Sequence, residues 1–119
     1  MTNDTWRRNL AKPTILQLFP KGEGRVLRVD GLTVTHLVYQ PTWRWSTNNT
    51  DMVGRSWCRH SHHGFVLSGR MTVDFEDGSR LDIGPGDAYT WPPGHDPAVA
   101  GDEPCVLLEI SAKSNGWVS

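Results

Sequence analysis

Apolar and polar residues alternate with a period of two along much of this chain, which predicts β-strands. In the run 71–76, methionine, valine and phenylalanine alternate with threonine, aspartate and glutamate, so one face is expected to be buried and the other wet. Asp30-Gly31 and Asp77-Gly78 separate neighbouring runs and predict tight hairpins. The predicted strands cover residues 25–29, 32–39, 57–68, 71–76, 79–83, 88–91, 97–100 and 105–110.

Loops are predicted where glycine and proline interrupt these runs, at residues 84–87 and 92–94. Helical periodicity is weak throughout, and at most Asp4 to Lys12 forms a short helix. Several short strands joined by such turns are typical of an all-β sandwich or barrel. The 119 residues suffice for one domain. We expect an N-terminal arm and first strand region at 1–24, a barrel at 25–111 and a C-terminal tail at 112–119.

Composition excludes several classes of function. The net charge of −1 gives no reason to expect nucleic acid, and the basic cluster Arg7, Arg8 and Lys12 is interpreted as a solvated arm. No apolar run approaches the length of a membrane span, and the polar start lacks a secretory apolar region. We therefore expect a cytoplasmic protein without membrane contact, in which Cys58 and Cys105 are free thiols.

Histidines are concentrated in two segments of the chain. Four of the five lie either at residues 60–63 or at position 95. In both segments they stand beside apolar strand residues. A small β-barrel would gather such imidazoles in one cavity.

Glycine and proline spacing around these histidines resembles the two signature motifs of the cupin superfamily. Gly69 is followed after sixteen residues by Gly86, and Asp87, Pro92 and Gly94 complete the second motif. The resemblance implies a jelly-roll β-barrel of six to eight strands with a short N-terminal arm. It spans Trp43 to Ile110.

The residues of this sequence match the metal-binding positions of the cupin motifs only in part. Counting forward from Gly54 makes His60 and His62 the His-x-His pair, but leaves Val66 or Leu67 in the glutamate position. Counting backward from Gly69 places Ser56 and Cys58 in the two histidine positions and His62 in the glutamate position. We prefer the backward count, because a hairpin at Gly69 would fix the register of the strand.

On the backward register, Ser56, Cys58, His60 and His62 share one side of the predicted strand. The second-motif histidine position falls on Pro97, and His95 lies two residues earlier with the same pleat direction. The resemblance thus implies a mixed metal site of Cys58, His60, His62 and His95. Imidazoles with a thiolate favour a divalent transition metal, with zinc first and iron, copper or nickel as alternatives. If His60 is not a ligand, we expect it to move a proton.

Six tryptophans are many for so short a chain. Trp43 and Trp45 are expected to share a strand face, and Trp91 precedes the predicted loop at the cavity mouth. These three indoles are interpreted as walls of a pocket for a small apolar or aromatic molecule, with core packing as the alternative. Trp6 and Trp117 lie near the termini, where they could pack across a homodimer.

Two hypotheses about function follow from these features. The first is a metal-dependent enzyme acting on a small organic molecule. The second is a barrel without turnover that binds a small molecule or has a structural role only, and it includes a metal-free barrel. The fold alone does not decide between them.

Overall fold

A computed structural model describes residues 6–48, 57–58 and 60–112 of the chain. Its nine strands are β1 Ile15–Phe19, β2 Gly22–Val29, β3 Leu32–Tyr39, β4 His62–Ser68, β5 Arg70–Phe75, β6 Arg80–Ile83, β7 Ala88–Trp91, β8 His95–Ala100 and β9 Cys105–Ala112. One short helix, α1, spans Trp45–Asn48. Strands thus make up most of the described chain, as the alternating pattern predicted.

The strands form two antiparallel sheets that share a core. The larger sheet has the order β1-β2-β3-β9-β4-β7 and the smaller one the order β6-β5-β8. Both sheets contribute to the core: Val66 and Leu107 come from the larger sheet, and Met71, Val73 and Ile83 from the smaller. This is the all-β jelly-roll arrangement that the sequence predicted.

Both predicted aspartate-glycine hairpins are confirmed. Asp30 and Gly31 turn between β2 and β3 with positive φ values of 45° and 86°, as a two-residue hairpin requires. Asp77-Gly78 joins β5 to β6.

The predicted hairpin at Gly69 is wrong. β4 and β5 belong to different sheets, so Gly69 lies where the chain crosses from one sheet to the other. Its φ is +75°, and a Cβ there would lie 2.1 Å from the carbonyl oxygen of Pro104. Glycine is required here by the backbone conformation and by the close approach of the loop before β9.

Two further expectations are corrected. The predicted strand 57–68 begins only at His62, so the pleat cannot align Cys58 and His60 with His62. Trp45 opens α1 and therefore shares no strand with Trp43. Residues 46–48 continue this helix.

The N-terminal segment has no helix between residues 6 and 12, and Asp4 lies outside the described part of the chain. The predicted 1–24 region holds β1 and the first residues of β2. No helix within the described ranges combines the length and apolar character that crossing a membrane demands.

Candidate metal centre

Cys58 is held beside His95 by backbone hydrogen bonds, although it belongs to no strand. The N–H of Cys58 donates to the carbonyl of His95 at 2.8 Å, and the N–H of Gly94 donates to the carbonyl of Cys58 at 2.7 Å. This isolated antiparallel bridge fixes the Cys58 Cα at the start of β8. Cys58 is therefore positioned by this bridge to His95, and not by the pleat of a strand shared with His62, as the sequence predicted.

The side chains of Cys58, His62 and His95 converge at this point. Their ligand atoms all lie within 4.8 Å of one another. Cys58 Sγ is 3.6 Å from His62 Nε2, and the two imidazole rings meet edge to face with centroids 5.0 Å apart. Cys58 and His95 are buried, whereas His62 is half-buried.

Hydrogen bonds donated by the Nδ1–H groups orient both imidazoles. His95 Nδ1 lies 2.6 Å from the carbonyl oxygen of Pro92, and because only an N–H can bond there, its Nε2 is left as the acceptor. His62 Nδ1 lies 2.8 Å from Oε1 of Glu109. Each imidazole therefore directs Nε2 towards the cluster.

One of these nitrogens is buried without a partner. Nε2 of His95 makes no hydrogen bond to any described residue, and the His95 side chain is fully buried. Leaving such an atom unsatisfied costs about 1 to 3 kcal/mol, so a buried lone pair implies a further group such as a metal or a water.

Electrostatics prepare the thiol and the His62 imidazole as an ion pair. Burial opposes ionisation of Cys58, but the contact with the His62 imidazole and the backbone N–H of His60 lower the thiol pKa to about 6. Burial likewise disfavours charge on His62, yet its contacts with Cys58 and Glu109 raise the pKa of that imidazole to about 10. The thiolate, the form that binds metal, is thus available at neutral pH.

The three side chains suit zinc in number, type and spacing. Zn–S and Zn–N bonds of about 2.3 and 2.0 Å at a tetrahedral angle place sulfur and nitrogen roughly 3.5 Å apart. Cys58 Sγ and His62 Nε2 are separated by a similar distance, 3.6 Å. A site with three protein ligands keeps one position open, which is the catalytic rather than the structural pattern.

A cavity of about 560 Å³ opens beside this cluster. Five aromatic side chains line it, and its polar side chains outside the cluster are Gln17, Thr35, His60 and Glu109. Tyr39 and Trp43 pack with ring centroids 4.2 Å apart, and Phe19 lies 5.6 Å from Tyr39. The aromatic residues are Phe19, Tyr39, Trp43, Trp45 and Trp91.

Asp96 anchors the helix that carries Trp45. Its carboxylate accepts hydrogen bonds from the backbone N–H of Ser46 at 2.8 Å and from the Ser46 hydroxyl at 2.7 Å. Arg44 completes the anchor with a 2.6 Å ion pair to the same carboxylate. Because Asp96 follows His95 on β8, one strand positions both the imidazole and the indole of the cavity.

The structure places the predicted pocket residues as follows. Trp43 and Trp91 are each only 2 % exposed and belong to the core cluster, yet both line the cavity. Trp45 is half-buried and also lines it. Among the terminal indoles, Trp6 is 67 % exposed and Trp117 lies outside the described residues.

His60 is exposed and lines the same cavity, outside the three-residue cluster. Ser56 of the predicted register lies outside the described residues. His95 and Pro97 both line the cavity from β8, because the strand begins at His95 and carries the pleat through both positions. Cys105 is fully buried in the core, and burial raises its thiol pKa to about 11.

Sequence reasoning missed the carboxylate of this site. Glu109 accepts hydrogen bonds from both His62 and the hydroxyl of Tyr89, the latter at 2.7 Å. A signal was present, because Cys105, Leu107 and Glu109 alternate on one face of β9 and place a charge on the buried side. The role of Asp96 had no comparable signal, since it depends on a helix that the pattern did not predict.

Comparison with protein families identifies the chain. The model of the cupin domain, Cupin_2, matches residues 52–111, which include the Cys58, His62 and His95 cluster. The chain belongs to the cupin 2 family. No curated protein sequence matches it.

Solved structures agree with this cupin fold. The polyketide cyclase RemF from Streptomyces resistomycificus is 19% identical, with 95% of this chain and 86% of that chain covered at a TM-score of 0.64. KdgF from Halomonas sp. is 18% identical, covering 81% of this chain and 84% of that chain at a TM-score of 0.57. Protein NMB1881 from Neisseria meningitidis is 20% identical, covering 76% and 82% at a TM-score of 0.57. At these identities the likeness shows the fold alone.

Proposed function

We propose that this cupin binds a divalent transition metal through Cys58, His62 and His95 and acts on a small apolar or aromatic molecule held in the adjoining cavity. The observation that carries the proposal is the convergence of the three ligand atoms within 4.8 Å at the wall of that cavity. Zinc is the first choice, because one thiolate and two imidazoles form a borderline-soft set. Iron, copper and nickel are the alternatives.

A bound metal would supply Lewis acidity to an oxygen of the substrate or to water. The residues of the chain would do the rest. The aromatic walls would exclude water and hold a flat ligand by burial and stacking. His60 is exposed and lines the cavity, so it would exchange a proton between the ligand and solvent.

The side chains that line the cavity favour an aromatic ligand. The aromatic residues Phe19, Tyr39 and Trp43 form a continuous group along the wall. An aromatic ring would gain both apolar burial and ring contacts there. RemF is a polyketide cyclase, so aromatic polyketides are a reasonable first set of compounds for a binding screen.

A cytoplasmic location is part of the proposal, since a reducing compartment would keep the Cys58 thiol free to bind metal. The described cysteines, Cys58 and Cys105, are both free.

The experiment is elemental analysis after zinc loading of the metal-free protein and removal of excess ion. The wild type is expected to retain one metal per chain, and a His62→Ala, His95→Ala double variant none. His63→Ala is the matched control, because His63 neighbours His62 but bonds instead to Thr90 at 2.6 Å. Stoichiometric metal in the double variant would overturn the proposal.

A non-catalytic barrel is the second candidate. It is favoured by one observation, the contact between Cys58 and His62 at 3.6 Å, which satisfies both groups without an ion. Ligand binding by the wild type without metal uptake would support this candidate instead.

A further inference from the structure

Three residues on neighbouring strands of the larger sheet lie in one row beside the metal cluster. Gly64 on β4 is the cross-strand partner of Tyr89 on β7 and also of Glu109 on β9. Residues in such a row present their side chains to the same face of the sheet. Here that face is the one that lines the core.

Gly64 leaves the middle of this row open. A Cβ at this position would lie 2.8 Å from the Tyr89 hydroxyl, 3.0 Å from Cγ of Glu109 and 2.5 Å from the carbonyl oxygen of Leu108. Any side chain would therefore occupy the space in which Tyr89 and Glu109 meet. Because glycine has none, the phenol reaches across β4 and donates its hydrogen bond to Oε2 of Glu109 at 2.7 Å.

Both oxygens of Glu109 are therefore engaged in a fixed direction. Oε2 accepts from Tyr89, and Oε1 lies 2.8 Å from His62 Nδ1. Tyr89 is itself immobilised by stacking on Trp91, with ring centroids 4.4 Å apart. A chain of contacts thus runs from the core through Tyr89 and Glu109 to the imidazole of His62.

These contacts through Tyr89 and Glu109 determine which nitrogen of His62 faces Cys58. Metal binding requires His62 to give up one ring proton, and because a carboxylate accepts hydrogen bonds, Glu109 keeps the remaining proton on Nδ1. The lone pair then lies on Nε2, 3.6 Å from Cys58 Sγ. Without this carboxylate, the imidazole would be free to rotate or to exchange tautomers.

We propose that Glu109, held by Tyr89 through the gap at Gly64, is a positioning residue that fixes the tautomer and orientation of His62 for metal binding. The inference rests on the proposed metal function. It adds to that function a carboxylate that acts through His62 without binding the ion. Partners of this kind typically change metal affinity by 10- to 100-fold.

The test compares Glu109→Leu, Glu109→Gln and Tyr89→Phe with the wild type and with Glu103→Gln. Glu103 is an exposed glutamate outside the cavity lining and controls for the loss of one negative charge. Zinc affinity is measured by competition with a chelator. We expect Glu109→Leu to weaken binding by about 10- to 100-fold. Glu109→Gln should retain most of the affinity, because its amide oxygen still accepts from Nδ1.

A second measurement reports the tautomer itself. In the zinc-loaded protein, nitrogen-proton correlation spectra should show His62 protonated at Nδ1 in the wild type and in Glu109→Gln. Glu109→Leu should lose this signature or show a mixture. Tyr89→Phe keeps the carboxylate but removes its anchor, so we expect an intermediate affinity, and this variant carries the test if Glu109→Leu does not fold.

The outcomes separate the two proposals. A wild type that takes up no zinc contradicts the proposed function, and the positioning role falls with it. If the wild type binds zinc and all three variants bind equally tightly with the same His62 signature, the metal function stands and the positioning role is refuted. Equal losses in Glu109→Gln and Glu109→Leu, with an unchanged tautomer, would also refute it, because they would reflect charge alone.

Discussion

Cys58 and His95 are joined by a backbone bridge in which the Cys58 N–H donates to the His95 carbonyl at 2.8 Å. The two residues come from different histidine-containing segments, and the bridge brings the sulfur of one to the imidazole of the other. Main-chain hydrogen bonds therefore hold these two candidate ligands side by side, and this contact does not depend on a metal ion.

Zinc is expected to stabilise the folded protein. At a free zinc concentration of about 100 times Kd, the free energy of unfolding should rise by about 2.7 kcal/mol, because only the folded state brings the three ligands together. Thermal unfolding with and without a chelator measures this rise. Cys58→Ser should lose most of it, and an undiminished zinc effect in that variant would show that the thiolate is not a ligand.

The Cys58 thiol should titrate well below its ordinary range. The contact with His62 and the backbone N–H of His60 outweigh burial and lower its pKa from 9.0 to about 6. In metal-free protein, the ultraviolet absorbance of the thiolate should therefore appear as pH rises through about 6. Cys105 does not interfere, since burial raises its pKa to about 11.

The direction in which stability changes with pH follows from the same shift in the Cys58 pKa. A thiol whose folded pKa is depressed adds stability above its unfolded pKa of about 9, and this contribution is lost as pH falls through about 6. His62→Gln should return the absorbance transition towards the ordinary value. A transition that stays near 6 in that variant would contradict the role of the imidazole.

Gly64→Ala should destabilise the protein by about 1 to 3 kcal/mol, the usual range for overpacking. The new Cβ would lie 2.5 Å from backbone, which cannot easily move. Gly24→Ala is the control on the same sheet, where the nearest atom is a Leu37 side-chain carbon at 3.1 Å. Chemical denaturation measures both, and equal losses would show that strand geometry, not the row beside Glu109, sets the cost.

Trp45 and Trp91 should respond differently to truncation. Trp91 is 2 % exposed within the core, so Trp91→Ala should cost about 3 to 5 kcal/mol of stability. Trp45 is half-buried at the cavity, so Trp45→Ala should weaken the binding of an aromatic ligand by about 1 to 3 kcal/mol. The accompanying loss of stability should be smaller than for Trp91→Ala. Fluorescence titration and thermal melts on the same two proteins measure both effects. Unchanged ligand affinity in Trp45→Ala would remove Trp45 from the pocket.

A homodimer remains our prediction for assembly. β1 is an edge strand, and its Leu16 and Leu18 are 51 % and 73 % exposed. Pairing with a second copy would cover this edge. Light scattering at micromolar concentration should give twice the chain mass, and Leu18→Glu should give the monomer. Leu81→Glu, on β6 of the other sheet, is the control and should leave the dimer intact.

Most strands and the two aspartate-glycine hairpins of this cupin could be predicted from the sequence because their causes are local. Asp30 and Gly31 adopt the positive φ angles of a two-residue hairpin because these residue types tolerate them, and the alternation in 71–76 matches the pleat of β5. His95 was placed in the cavity for the same reason, since two residues along a strand restore the side-chain direction.

The site itself depended on contacts between distant parts of the chain. Cys58 reaches the cluster through a bridge to His95, and no local pattern encodes that pairing. Glu109 becomes the partner of His62 only because β9 lies beside β4 in the larger sheet. Sequence periodicity determined which face each residue presents, whereas strand order and sheet crossing decided which faces meet, because backbone pairing between distant segments is set by the packing of the whole chain.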